Sequence, residues 1–161
     1  MTNRSRTISW EDPHALAATG RGLSGIDYLR KLMAGELAPP PMAELMNFRL
    51  AEIAEGSAVF VCDPGEYHYN PIGLVHGGLA ATLLDSAMGC AIHTTLPAGV
   101  GYTTLEIKVN FIRPITVKEV GIRCEGRVIH SGGRTATADG RIVDAAGKLY
   151  AHGTTTCLIL R

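Results

Sequence analysis

The residues of this chain whose types could do chemistry lie between Asn70 and Thr104. A Pro/Gly loop begins at Asn70 and leads into His76-Gly77-Gly78, and the carboxylate of Asp85 follows eight residues after Gly77. Glycines let a ligand approach the backbone closely. If a helix begins here, its first N–H groups are unsatisfied and carry partial positive charge. Such a helix terminus suits a negative charge that develops on a carbonyl oxygen.

Asp85 is a lone carboxylate inside an apolar helical pattern. The apolar positions around it recur at helical spacing: Leu79, Leu83, Ala87 and Cys90. An unpaired carboxylate is expensive to bury. Periodicity alone therefore favours a solvent-facing stripe of Asp85 and Ser86 over a general base in a cleft, and both interpretations stay open at this point.

Length and composition indicate one ordinary globular domain of 161 residues, 46% hydrophobic and 19% charged. The formal net charge of zero argues against nucleic-acid binding. The N-terminus lacks a signal-peptide pattern, and no run approaches the ~18 apolar residues of a membrane span. The cysteines are far apart, which favours reduced thiols rather than a zinc or redox site. We therefore expect a cytoplasmic protein with no membrane partner.

The elements that must position these residues follow an α+β order. Residues 1–22 are expected to form a polar N-terminal arm, in which Trp10 could act as an anchor, and 23–161 a single domain. A helix that begins near Ser24 and ends before Pro39 is either a packing helix, which we favour, or a lid beside an acyl pocket. An extended hairpin follows over 43–63. After the central helix, alternating patterns predict four further strands, over 104–111, 120–128, 134–143 and 148–160.

On this framework the chain resembles the hotdog-fold acyl-CoA thioesterases of the phenylacetic-acid-pathway (PaaI) type. The resemblance covers roughly 24–160. Its specific part is Asn70, then His76-Gly77-Gly78, then Asp85, then Thr104 at the start of a strand that ends at Arg113-Pro114. It implies an antiparallel sheet wrapped around one long central helix, with an extra N-terminal helix. It also implies hydrolysis of an acyl-CoA to a free acid and coenzyme A, with no cofactor and no metal.

The resemblance assigns a role to each motif residue. Gly77 would donate its backbone N–H to the thioester carbonyl, with Asn70 assisting. Asp85 would activate water as general base or attack as nucleophile, and Thr104 would hold the water. His76 would lie near the leaving sulfur or support the loop.

Three further residues are expected to contact substrate: Gly78, Arg113 and Arg134. The two arginines could meet the phosphates of coenzyme A, although solvated basic residues at strand edges are an equally good interpretation. Ordinary structural roles exist for the motif residues too. Asn70 could stabilise its own turn, and Thr104 could reflect strand propensity. Their joint spacing is what favours the catalytic interpretation.

Helix geometry predicts that two subunits share each site. Gly77 and Asp85 are eight residues apart, which is about 12 Å along a helix, so one thioester cannot touch both. If two copies pair about a two-fold axis, the helix N-terminus of one could approach Asp85 of the other. We therefore expect a homodimer with shared active sites, with a dimer of dimers as a further level of assembly.

Two alternative functions remain open from sequence. One is a hotdog dehydratase or hydratase, although the HFPG-type signature expected for it is absent. The other is a non-catalytic module that binds acyl-CoA as a sensor, against which the intact pair of Asp85 and Thr104 argues. The identity of the acyl group is not predicted.

Overall fold

The computed structural model describes residues 3–161, in which six antiparallel strands form one sheet around a long helix. The helices are α1 (Pro13–Gly20), α2 (Gly25–Met33), α3 (Pro41–Met46) and α4 (Gly77–His93), and a short 3-10 helix spans Glu66–His68. The strands are β1 (Phe48–Ala54), β2 (Ser57–Cys62), β3 (Gly101–Phe111), β4 (Ile122–Ser131), β5 (Thr135–Val143) and β6 (Leu149–Leu160). They lie in the order β1-β2-β4-β5-β6-β3, which leaves β3 at one edge. The expected α+β plan is confirmed.

A row of aligned glycines allows α4 to lie close to the sheet. Gly126 pairs with Gly140, and Gly140 with Gly153, so the three form a line across β4, β5 and β6. A Cβ atom at Gly126 would overlap the backbone of Ala87, and one at Gly140 would lie 2.9 Å from Cγ of Met88. Larger residues would therefore push the helix away from the strands. The buried core forms where α4 meets this surface.

A β-bulge in β3 changes which side chains face α4. The register against β6 shifts between Thr104 and Glu106, so Leu105 is the extra residue and its side chain is exposed. Before the bulge, Thr104 faces α4. After it, Ile107 packs against the core cluster. The sequence predicted an unbroken period of two, which would have placed Thr104 and Ile107 on opposite faces. That detail was wrong, because a bulge inverts the alternation.

The N-terminal part differs from expectation in two places. Helix α3 lies where extended chain was expected, because Pro41 occupies the first helical turn, where its missing N–H costs nothing. The helix ends at Asn47 in the left-handed conformation, with φ of 53°. The expected arm contains α1, and its first two residues lie outside the described range. Trp10 is 62% exposed and does not anchor the arm to this chain.

Helix α2 matches the expected helix, with Ser24 as its N-cap. Within residues 3–161, no helix is both long and apolar enough to cross a membrane.

Candidate active site

The N-terminus of α4 presents one free backbone donor. His76 is the N-cap, and its Nδ1 accepts a hydrogen bond of 2.8 Å from the N–H of Gly78. The next donor, the N–H of Leu79, bonds to the carbonyl of His76 at 3.0 Å. Gly77 occupies the first helical position, whose N–H has no acceptor within a helix. The cap thus leaves the Gly77 N–H available to a ligand, and it assigns the Nδ1 of His76 a supporting role in the loop.

Asn70 holds the loop before the helix. Its Oδ1 accepts hydrogen bonds of 3.1 Å from the N–H of Ile72 and of 3.1 Å from that of Leu74. This is the turn-stabilising role considered from sequence, but it uses only the Oδ1 atom of the side chain. The bonds fix which amide atom faces the loop, and Nδ2 forms no hydrogen bond with any residue in the described part of the chain. A turn role and a ligand-binding role are therefore compatible.

Both donors line an open cavity of about 450 Å³. Its other walls come from the end of β3, the segment after it and the start of β6: Phe111, Ile112, Arg113, Pro114, Ile115, Tyr150 and Ala151. The ring of Phe111 lies beside Gly77, where an added Cβ atom would come within 3.1 Å of it. Glycine at this position therefore leaves room for both the ring and a ligand.

The two candidate phosphate-binding arginines lie far apart within one subunit. Arg113 lines the cavity, and its Nη1 donates a 2.6 Å hydrogen bond to the carbonyl of Leu149 at the start of β6. Arg134 lies near the other end of β6, where its carbonyl accepts from the N–H of Ile159. Ten residues of strand separate these ends, roughly 30 Å. One chain therefore brings Arg113, but not Arg134, to the cavity.

Asp85 forms a second centre with Thr104. The Thr104 hydroxyl donates a 2.8 Å hydrogen bond to Oδ1 of Asp85, so helix α4 and edge strand β3 are joined at this point. The Asp85 side chain is exposed and Thr104 is half-buried. Neither residue lines the cavity at the helix N-terminus. The carboxylate thus lies on the solvent-facing side of α4, as periodicity suggested, and it also has the partner that the catalytic interpretation requires.

A cysteine near this pair does not compete as a nucleophile. Sγ of Cys157 lies 3.9 Å from Oγ1 of Thr104. Burial raises the pKa of the Cys157 thiol, which therefore stays protonated at neutral pH. All four cysteines are free thiols. In the described chain, no group of three or more His, Cys, Asp or Glu side chains could hold a metal ion, and the expectation of a metal-free site stays a prediction.

Sequence reasoning missed Phe111 and Tyr102 as residues beside the two centres. Phe111 was read only as the last apolar residue of an alternating strand, and it is 60% exposed at the cavity. Tyr102 lies two residues before Thr104 on the same face, with its hydroxyl over Gly89. Gly89 was the available signal, since a glycine inside a helix indicates close packing against something.

Comparison with known proteins agrees with this architecture. The thioesterase superfamily model matches residues 72–151, which contain α4 and the strands β3 to β5 but not Asn70. A protein of Saccharolobus solfataricus, provisionally named an esterase, is 28% identical over 118 residues, covering 73% of this chain and 82% of its own.

Solved structures show the same fold. A Ralstonia eutropha protein, provisionally named a phenylacetic acid degradation-related thioesterase, has a TM-score of 0.72 and 26% identity, covering 81% of this chain and 98% of its own. The Escherichia coli PaaI protein has a TM-score of 0.72 at 21% identity, covering 86% of this chain and 96% of its own. The likeness to PaaI-type proteins is therefore confirmed. With this fold and a family-model match over about half of its length, the chain is similar to the thioesterase superfamily.

Proposed function

We propose that the protein hydrolyses an acyl-CoA thioester to a free acid and coenzyme A. The observation that carries the proposal is the pair of centres on α4. One offers a free N–H at Gly77, and the other offers a carboxylate at Asp85 that is oriented by Thr104. A thioester hydrolase needs a donor for the carbonyl oxygen and a base for water.

The reaction follows from these positions. The Gly77 N–H and the Asn70 amide donate to the thioester carbonyl oxygen. Asp85 takes a proton from water while the water oxygen bonds to the carbonyl carbon. The tetrahedral intermediate then expels the sulfur, and Asp85 returns the proton to the departing thiolate. Thr104 occupies only Oδ1, which leaves Oδ2 free to accept the water proton.

We propose further that two subunits share each site. Gly77 and Asp85 are separated by about 12 Å of helix. Within the described chain, strand β3 has no neighbour on its outer side. Leu105 and Phe111 on it, and Ile112 directly after it, are exposed. An apolar open edge is suited to pairing with another chain. Thr104 lies in the first part of β3, and Phe111 is its last residue. Antiparallel pairing of two β3 strands would therefore bring Asp85 of one subunit toward Gly77 of its partner.

A coenzyme A thioester as substrate and the cytoplasm as compartment are both consistent with the proposed activity. Arg113 at the cavity could meet a coenzyme A phosphate, and an anion at the N-terminus of α4 would be favoured by the helix dipole. Free thiols fit a reducing cytoplasm, where acyl-CoA substrates would be met.

Asp85→Asn tests the activity, because it keeps the side-chain shape and removes the base. We expect kcat to fall by roughly 10²–10⁴ with acyl-CoA binding retained. The rate of coenzyme A release from a panel of acyl-CoA substrates measures kcat, and a melting curve shows whether the variant is folded. Full activity in the folded variant would refute the role of Asp85. Acyl-CoA binding without hydrolysis by the unmodified protein would instead favour the sensor module.

Mixed dimers test the shared site. Gly77→Val and Asp85→Asn homodimers should each be nearly inactive. In a shared site, a mixed dimer has one doubly damaged and one intact site. Random co-assembly gives about half mixed dimers, and hence roughly a quarter of the original activity per total site. Because Gly77→Val also displaces Phe111, each homodimer must first be shown to fold. Purified, folded mixed dimers without activity would contradict sharing.

A further inference from the structure

A second cavity, of about 560 Å³, lies beside α2 and the C-terminal half of α4. Most of its lining is apolar and comes from α2, the turn after it, α3 and the hairpin: Leu29, Leu32, Met33, Leu37, Pro39, Pro40, Ala43, Phe48, Leu50 and Phe60. Its volume falls within the ~300–1,000 Å³ range of small-molecule sites. The cavity is partly open to solvent, since Met33 is 44% exposed, and its apolar lining suits a hydrophobic ligand.

The cavity lies further along α4 than the Asp85 centre, and neither Asp85 nor Thr104 lines it. Cys90 and His93, which line it, follow Asp85 by five and eight residues on the same helix. Tyr102 also lines it and lies two residues before Thr104 on the same face of β3. A Cβ atom at Gly89 would come within 2.8 Å of the Tyr102 hydroxyl, so this ring lies directly on the helix at the end of the cavity nearest Asp85.

Helix α2 is a fixed wall of this cavity. The N–H of Gly25 donates a 3.0 Å hydrogen bond to the carbonyl of Leu96. Any Cβ atom at Gly25 would overlap the backbone of His93. Leu29, one turn further, is 2% exposed. These contacts hold the start of α2 against the end of α4. They support a packing role for α2, and the packed helix forms one wall of the cavity.

The chemistry and the length of the cavity limit what it could hold. Burial lowers the pKa of His93, so its imidazole is uncharged at neutral pH. The eight residues from Asp85 to His93 span about 12 Å. An extended chain advances roughly 1.2 Å per bond, a third of the 3.3–3.6 Å of one residue. About ten bonds would therefore reach from the reacting carbonyl to the far part of the cavity.

We propose that this cavity is the acyl subsite, that it takes an unbranched apolar acyl group of about eight to ten carbons, and that Tyr102 packed on Gly89 forms its entrance. The inference rests on the proposed thioesterase function and adds the substrate class. Medium chains fill the cavity, short chains leave its apolar lining without a partner, and longer chains exceed it.

Leu32→Trp tests the subsite by filling the cavity from the α2 side. The matched control is Leu45→Trp, the same change at a side chain of α3 that is 51% exposed and outside the cavity. We expect the unmodified enzyme to prefer octanoyl- or decanoyl-CoA over butyryl- and palmitoyl-CoA. Leu32→Trp should lower the ratio of kcat/KM for decanoyl-CoA to that for butyryl-CoA by about tenfold or more, and the control should not. An unchanged ratio in folded Leu32→Trp protein overturns the subsite.

A binding measurement separates this inference from the proposed function. Calorimetry on the Asp85→Asn variant compares decanoyl-CoA with butyryl-CoA, with and without Leu32→Trp. Tighter binding of decanoyl-CoA that is lost in Leu32→Trp supports the subsite even if no hydrolysis is found. Equal affinities overturn it even if hydrolysis is found. Leu32→Ala gives a second variant if tryptophan prevents folding, and it should shift the preference to longer chains.

Discussion

The hydroxyl of Thr104 gives the sharpest test of the Asp85 centre, because a single hydrogen bond of 2.8 Å joins them. Thr104→Val keeps the branched shape and removes only the hydroxyl. A hydrogen bond to a charged group contributes about 1.5–3 kcal/mol. At ~1.36 kcal/mol per decade in rate, its loss corresponds to a fall in kcat of about 10- to 150-fold. Asp85 is exposed in the single chain, so water can replace part of the bond, and we expect the lower end of that range.

The assay is the release of coenzyme A under saturating and limiting substrate. Thr104→Val should lower kcat with little change in KM, because the hydroxyl orients the base rather than the substrate. Thr104→Ser retains the donor and should stay near the original rate. The fall in kcat in Thr104→Val should also be smaller than the fall in Asp85→Asn, which removes the base itself. If the valine variant retains full kcat, or if serine and valine are equally impaired, the hydroxyl does not act on Asp85.

Two further predictions concern stability. Gly126→Ala should overpack the contact with Ala87, at a cost of about 1–3 kcal/mol and roughly 2–12 °C in Tm at 2–4 °C per kcal/mol. Gly133→Ala, with nothing within 4 Å of its added Cβ atom, is the matched control, and equal melting temperatures would contradict the packing argument. His68, buried with its Nδ1 accepting from the N–H of Gly65, has a pKa that burial lowers below the ordinary 6.5. The unfolded chain therefore binds more protons below pH ~6.5, and stability falls as pH drops through that range. The decrease in Tm between pH 7.5 and 5 should be larger in the unmodified protein than in His68→Gln. Equal decreases would exclude His68 as a source of the pH dependence of stability.

The fold was largely predictable because its signals are local. The caps and apolar spacing of α2 and α4, and the turn at Gly56, are readable within a few residues. Helix α3 was missed because it is only six residues long and its start at Pro41 also suits a loop.

The site was predictable in its residues and not in its geometry. Spacing identified Asp85 and Thr104 but gave no sign of the bulge at Leu105, which depends on pairing with β6. The cavity beside α2 was also beyond reach, because its walls come from segments distant in sequence.

The glycine row has a consequence for synthesis of the chain. The surface that receives α4 is complete only when Gly153 has been made, 60 residues after the helix ends at His93. At ~5–20 residues per second, that delay is roughly 3–12 s. During this time the surface that covers Leu84 and Met88 is incomplete, because β2 precedes α4 but β4, β5 and β6 are still being made. The nascent chain should therefore be a client for chaperones that bind apolar helices, although the finished protein buries both side chains completely.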